Sequence, residues 1–497
     1  LNVGVHMQGT KFMRWMGGVL LVAVSFTLHA EALQPDPAWQ QGKLKNGFNW
    51  QVLATPQRPS DSIELRLVVE SGSLNESPLQ TGYSHLLTRL ALVHNSAISV
   101  TQQRQLWQQS IDKRNALPPA VTSYDFTRYN LSLPANRPDL IKDALLWLSA
   151  TAGDMAITPQ IVNSALAASD PTATWPANTA DVWWRYRLQG SALLSHDPQE
   201  NSAQPVDIAQ LTDFYHTWYT PDAMTLYVVG NVDSRAISEQ ISKAFSSLKG
   251  QRSSPPSLAV LPPLSYRAVN LTDSQGSGDR LSLIWDMPWS PITDSQSLQQ
   301  YWLSDLAREV LYWHLLPADA EKASADTRFG LDCRVFYQRA QCGLNIDTTA
   351  DKLAAQSDKV ASDFAELRDN GLTQQEFDTL MSGKLAELNS LFATYARTGT
   401  STLMAQRLRS QQNAVVDISP EQYQRLRQAF LAGLTLEALN HELHQQLSQP
   451  VAMALVQPQG EAEIPVNDLK TRFDKITALA PVTEDSEQGT AVPESNP

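Results

Sequence analysis

Apolar and polar positions alternate in IELRLVVESGS, which predicts a half-buried strand because successive strand side chains point to opposite faces. The stretch before it, GKLKNGFNWQVLATP, divides at Asn46-Gly47, a hairpin dipeptide, into two short strands. In GYSHLLTRLALV the period changes. Leu86, Leu87, Leu90 and Val93 recur at helical spacing, so a helix follows the strand. A strand (SYDFTRYNLSLP), a helix (DLIKDALLWLSATA), a helix opening near Thr158 and a Trp-rich stretch around Trp183 and Trp184 come next. LTDFYHTWYTPDAMTLYVVGNVD then reads as a helix, a turn at Pro221-Asp222 and a buried strand.

The Ser/Pro-rich stretch RSSPPSLAVLPPL interrupts this pattern, after which the order of elements begins again. A strand (DRLSLIWDMP), a long helix from Leu298 to Leu315, a hairpin carrying both cysteines and a further helix follow. In GLTQQEFDTLMSGKLAEL, Thr373 and Glu376 stand at capping-box spacing and open another helix. A last helix precedes VAMALVQPQG, which echoes DAMTLYVVGN of the first half. The chain reads as a duplication, with an N-terminal domain over 33–250, a linker over 251–272, a C-terminal domain over 273–465 and a largely disordered tail over 466–497. From Pro481 that tail carries four acids, no base and no aromatic residue.

The length of 497 residues exceeds what one core usually organises, which agrees with two domains. Apolar residues at 42% and charged residues at 18% are enough for sizeable cores. The net charge of −13 is spread along the chain, and no Lys/Arg-rich run offers a face for nucleic acid. Residues 1–32 have the order of a signal peptide: Lys11 and Arg14, fourteen uncharged residues from Trp15 to Leu28, then Ala30-Glu31-Ala32. A membrane anchor is the competing reading, but that run falls short of the roughly 20 residues needed to span. Cleavage after Ala32 would release a soluble exported protein with no membrane attachment. The only cysteines, Cys333 and Cys342, lie equidistant from a turn at Tyr337-Gln338, so a hairpin there sets them opposite each other. Oxidation would bridge them; two buried thiols are the alternative.

One block carries chemistry. VVESGSLNESPLQTGYSHLLTRL resembles the N-terminal active-site region of the insulinase and pitrilysin metallopeptidases, in which a strand, a Gly-Ser turn and an acid precede a helix bearing H-x-x-E-H. The turn here is Gly72-Ser73, the acid is Glu76, and the helix begins after Gly82. AVTSYDFTRYNLSLPANRPDL looks like the family's edge-strand segment, and DFYHTWYTPDAMTLYVVGNVD like its strand ending in a Gly-Asn-Val-Asp turn. The resemblance implies an α+β fold like that of pitrilysin and mitochondrial processing peptidase. Two similar domains, each a mainly antiparallel sheet flanked by helices, would face each other across a cavity. It also implies where a zinc site would stand, since His residues four apart share a helix face and the Glu before the second can deprotonate a bound water.

The residues needed for that chemistry are missing. The first His is His85, but the base is replaced by Thr88, the second His by Arg89, and the region expected to hold a distal Glu contains only the acid Asp170. A catalytic zinc takes three protein ligands, a Thr hydroxyl keeps its proton at neutral pH, and a guanidinium has no lone pair to donate. In the second half Gly330-Leu331 match the family, the position of its Tyr falls on Cys333, and Arg328 lies near the family Arg but out of register. His441 and His444 could share a metal with Glu442, although a solvated helical face explains them as well; Trp175, Trp183 and Trp184 fit either a peptide groove or buried aromatics under a loop. The resemblance therefore implies a periplasmic, non-catalytic relative with no cofactor. It would hold a peptide or unfolded segment by strand addition, or act as the partner of a catalytic peptidase subunit. The alternative is a zinc endopeptidase with unorthodox ligands. N-terminal sequencing of the fractionated protein is expected to find a soluble periplasmic chain beginning at Leu33; full-length chain in washed membranes would contradict the signal-peptide reading.

Overall fold

The computed structural model describes residues 30–108, 117–315 and 326–479, so the charged and apolar segments of the signal-peptide region, residues 1–29, lie outside the described residues. The first half builds a seven-stranded sheet in the order β1-β2-β7-β3-β5-β4-β6. Its strands are β1 (Trp39–Lys43), β2 (Asn49–Ala54), β3 (Ile63–Val69), β4 (Ala120–Thr122), β5 (Thr127–Leu133), β6 (Ala173–Thr174) and β7 (Met224–Gly230). The helices of this half are α1 (Tyr83–Val93), α2 (Val100–Gln108), α3 (Leu140–Gly153), α4 (Pro159–Ala167), α5 (Val182–Arg187), α6 (Ile208–Trp218) and α7 (Ser234–Phe245).

The second half repeats the design. Strands β8 (Ala268–Asp273), β9 (Asp279–Pro288), β10 (Arg328–Phe336), β11 (Arg339–Thr348) and β12 (Ala452–Pro458) form a sheet in the order β10-β11-β9-β12-β8. Its helices are α8 (Ser295–Leu315), α9 (Leu353–Asn370), α10 (Gln374–Asn389), α11 (Leu391–Arg397), α12 (Thr400–Gln412), α13 (Pro420–Gly433), α14 (Leu436–Leu447) and α15 (Val466–Thr477). Five strands correspond between halves. β7 runs parallel to β2 and antiparallel to β3, as β12 runs parallel to β8 and antiparallel to β9. Each sheet buries one face under its own helices: Leu65, Leu67 and Val228 pack against Leu87, Trp147 and Phe214 in one core, and Leu283, Leu344 and Leu455 against Val360, Phe364 and Phe473 in the other.

The opposite faces are covered by exchange. From the second half, Leu403 and Met404 of α12 lie on Leu53, Tyr227 and Val229 of the first sheet. From the first half, Trp183 and Tyr186 of α5 lie on Ile284, Ala452 and Ala454 of the second. The β4–β5 and β10–β11 hairpins meet between them. Tyr337 stacks edge-on against Tyr124 at 5.7 Å, its hydroxyl lies 3.1 Å from Ser123 Oγ, and Trp184 closes the cluster. Beside this contact Arg187 and Arg339 converge on the fully buried Asp286 carboxylate at 3.2 and 2.5 Å, and Asp286 also accepts the Leu264 N–H at 2.9 Å.

Several sequence expectations change. β3 is buried along both faces, because α12 covers the side expected to meet water; Glu64 and Arg66 beneath it satisfy each other at 2.6 Å. The linker over 251–272 is packed, with Ala259, Leu261 and Leu264 buried, and its last residues belong to β8. The tail assigned to 466–497 begins with an ordered helix, α15, whose Val466, Leu469 and Phe473 complete the second core; residues 480–497 lie outside the described residues. The N-terminal segment crosses the domain boundary, since Leu33 is buried beside Ile292, Trp302 and Leu426 of the second half. Cys333 and Cys342 stand opposite each other in the β10–β11 register and are bridged by a disulfide. Breaking the buried ion cluster with Asp286→Ala leaves two guanidiniums unpaired between the domains, so thermal and denaturant unfolding should show a loss of about 3–5 kcal/mol; a loss below about 1 kcal/mol would mean that the cluster does not hold the halves together.

Candidate functional site

The strand-to-helix segment that precedes α1 is fixed by backbone constraints. A Cβ on Gly72 would lie 2.2 Å from the Ser123 carbonyl oxygen, so the turn after β3 admits only glycine beside the β4–β5 hairpin. Gly82 opens α1 in the left-handed region at φ 82°, where a Cβ would also meet the Ser202 nitrogen at 2.5 Å. The Glu76 carboxylate then reaches the first turn of α1 and accepts the N–H groups of Gly82 at 2.9 Å and Ser84 at 2.8 Å. Burial pushes the Glu76 carboxyl up to about 7, against the pull of those two N–H groups. The acid is thus committed to capping the helix.

The three motif positions of α1, half-buried His85 and Arg89 and buried Thr88, take separate partners. His85 Nε2 lies 2.6 Å from Asp170 Oδ2. The other Asp170 oxygen accepts the Thr172 N–H at 2.9 Å and its hydroxyl at 2.6 Å. Burial raises the Asp170 pKa, but the bonds from His85 and Thr172 outweigh it and hold the carboxyl well below the usual range. Thr88 donates its hydroxyl to the His85 carbonyl at 2.6 Å. Arg89 turns away to the end of α4, where one terminal nitrogen donates to the carbonyls of Ala165 at 2.6 Å, Leu166 at 3.3 Å and Ala168 at 2.9 Å. That helix has no basic residue in its last turn, and Arg89 supplies the cation its carbonyl end favours. The sequence carried the signal for this cap: a helix ending ALAAS lacks a Gly or Lys of its own.

Tested against a catalytic zinc, these residues do not fit. Glu76 caps α1, Thr88 is bonded to its own helix, Arg89 is a cation, and Asp170 is engaged by His85 and Thr172, so His85 stands without the two further ligands a catalytic zinc takes. Among the described residues no group of three or more His, Cys, Asp and Glu is placed to hold a metal ion. His441 and His444 are exposed on α14 while Glu442 is buried and bonded to Ser304 at 2.9 Å, so the three do not converge. Arg328 is exposed at the start of β10, away from this region.

The strand beside α1 is also taken. β4, expected to be a sheet edge, pairs in parallel with β6 through Val121 with Ala173 and Thr122 with Thr174. Trp175 extends the pairing, its N–H donating to the Thr122 carbonyl at 3.1 Å and its carbonyl accepting Ser123 Oγ at 2.7 Å. Trp184 is buried in the interdomain cluster, with Trp175 packed against it and Trp183 on the second sheet. An open space remains further along the inner face of the first sheet. This cavity of about 640 Å³ lies between β2, β3, β5 and β7, the linker at Ser257 and Leu258, and α12 at Leu408 and Gln411.

Comparison with known proteins agrees with this architecture. The family model for insulinase (peptidase family M16) matches residues 51–169, and that for the peptidase M16 inactive domain matches residues 205–384. The chain is 52% identical over 477 residues to Protein YhjJ of Salmonella typhimurium, covering 96% of each chain, and 51% identical over 491 residues to Protein YhjJ of Escherichia coli, covering 99% of this chain and 98% of that one. A solved structure described as a predicted insulinase family protease from Yersinia pestis superposes with a TM-score of 0.88 at 58% identity, over 91% of this chain and 99% of that one. The periplasmic protease PqqL from Escherichia coli shares the fold at a TM-score of 0.74 and 19% identity; 94% of this chain matches 52% of PqqL.

The raised Glu76 pKa has a consequence for stability. The unfolded chain releases this proton near its ordinary 4.5 and the folded chain near 7, so stability should fall as pH rises across that interval, by an amount on the order of 3 kcal/mol. Urea titrations at pH 5 and pH 7.5 should show a much smaller difference for Glu76→Gln than for the wild type; equal differences would exclude Glu76 as the cause.

Proposed function

The chain belongs to the insulinase family of peptidases, and we propose that it is a member that binds short polypeptide segments without hydrolysing them. The observation that carries this reading is the position of Arg89. At the place of the family's second metal-binding His, its guanidinium is bonded to three carbonyls at the end of α4. A guanidinium has no lone pair to donate, and these bonds hold it on α4, so this position offers zinc no ligand. With Thr88 in place of the general base, water has nothing to deprotonate it.

Binding is supported by the cavity between the domains, whose volume of about 640 Å³ suits a few residues of a peptide. Strand addition beside His85 would have to displace Ala173–Thr174 and Trp175, so the ligand belongs in the cavity. Export to the periplasm is supported by the order of Lys11, Arg14, the apolar run and Ala30-Glu31-Ala32. A second reading, a supporting subunit for an active peptidase, is favoured by one comparison: this chain matches about half the length of PqqL. Pull-down from periplasmic extract separates the two, since an enriched metallopeptidase supports the subunit and a mixture of short peptides supports the binder.

Purified protein should hold well under one zinc per chain and leave unfolded polypeptides uncut. Thr88→Glu with Arg89→His restores the base and the second His but not the third ligand, so weak zinc binding and little or no hydrolysis is expected. Asp170→Glu is the third change needed. Stoichiometric zinc in the wild type, together with chelator-sensitive proteolysis that Arg89→Ala abolishes, would overturn the reading.

A further inference from the structure

The floor of the interdomain cavity contains a cation that the fold itself does not neutralise. Arg128 is the second residue of β5, and the β3–β5 and β3–β7 registers set it in one row with Val68 and Thr225 on the inner face of the first sheet. The family-motif region, α1, lies on the opposite face of that sheet. Two neighbouring cations have partners. Arg66 is paired with Glu64 at 2.6 Å, and Arg252 with Glu70 at 2.5 Å. Arg128 donates only its Nε, to Asn130 Oδ1 at 3.1 Å, and lies over the Phe126 ring at 5.8 Å. Among the described residues neither of its terminal nitrogens has a hydrogen-bond partner and no carboxylate pairs with it.

Such a group is costly unless something answers it. Burial, with the like charge of Arg66 nearby, pulls the Arg128 pKa down to about 10, so it remains a cation at neutral pH. Within the same cavity Asp125 Oδ1 is buried and accepts no hydrogen bond. The Asp125 oxygen is shielded from the open space, and the cavity therefore presents a planar guanidinium with two free terminal nitrogens, the complement of a carboxylate.

We propose that this cavity is a binding site for a polypeptide carboxylate, either a chain terminus or an acidic side chain, with Arg128 as its counter-ion. The proposal rests on the reading of the chain as a peptide binder and specifies which peptides it takes. Lys43, also on the cavity wall, adds a second positive charge, while Glu70 is occupied by Arg252. The preference is for charge and chain end rather than for a long sequence, since about 640 Å³ holds only a few residues.

The test uses the full chain and four fluorescent peptides of one short sequence, with a free or amidated C-terminus and with an internal Glu or Gln. Wild-type protein should bind at least one carboxylate-bearing peptide about tenfold more tightly than the amidated Gln peptide. Comparing the free-acid Gln peptide with the amidated Glu peptide identifies which carboxylate is read. Arg128→Gln should abolish the difference and Arg128→Lys should restore part of it, while Lys43→Gln should leave most of it. Arg128→Gln should also melt no lower than the wild type without ligand, because it removes a half-buried charge that nothing answers. Peptides that bind equally well with and without carboxylates would overturn this proposal while leaving the peptide-binding reading intact, as would a marked loss of stability in Arg128→Gln. If no peptide binds at all, both fall.

Discussion

The structure depends on one constraint: each sheet has two faces to cover and its own half of the chain supplies helices for only one. An uncovered face bearing Leu53, Tyr227 and Val229, or Ile284, Ala452 and Ala454, would expose contiguous apolar surface to water. Exchange of α12 and α5 between the halves removes both faces at once. Neither domain is complete without the other. The buried carboxylate of Asp286 between Arg187 and Arg339, and the meeting of the hairpin tips at Tyr124 and Tyr337, lie where the two exchanged parts must register. A buried charge cluster of this kind is poorly tolerant of misalignment, so it fixes the relative position of the halves more than it adds stability.

This packing explains why the family's catalytic helix survives without its catalytic residues. α1 remains a structural element: Leu86, Leu87 and Leu90 are core, Gly82 and Glu76 set its start, and Arg89 ends α4. The motif positions on it are engaged in local bonding. His85 and Asp170 answer each other, and Thr88 answers its own backbone. The neighbouring sheet edge has been closed in the same way by Ala173–Thr174 and Trp175. At this end of the molecule the motif residues and the β4 edge are engaged in local bonds, while the cavity on the other face of the sheet keeps Arg128 with unused bonding capacity.

Over the five corresponding strands the two halves agree in order and direction but not in use. In the first half the β4–β5 hairpin lies against α1 and carries Arg128 into the cavity; in the second the β10–β11 hairpin is cross-linked by Cys333 and Cys342 and inserts its tip into the first domain. Duplication supplied the architecture, and divergence of the two hairpins made one a floor and the other a plug. The packed linker, with Leu261 bonded to Tyr337 through the backbone, holds the plug in place.

Local patterns in the sequence determined the elements and their repetition, since period-two and period-3.6 spacing, the Asn46-Gly47 turn, the Thr373–Glu376 capping box and the placement of Cys333 against Cys342 each depend on neighbours within a few residues. They also showed that Thr88 and Arg89 cannot serve zinc, because that follows from functional groups alone. Contacts across long separations were decided only by tertiary structure. The burial of both faces of β3, the ordering of α15, the pairing of His85 with Asp170, the capping of α4 by Arg89 and the closure of β4 all join segments that no local period relates. Arg128 shows the limit most clearly. In the sequence it is one cation among many in an alternating strand, and only the folding of α12 and the linker over that strand leaves it half-buried and unanswered on the floor of a cavity.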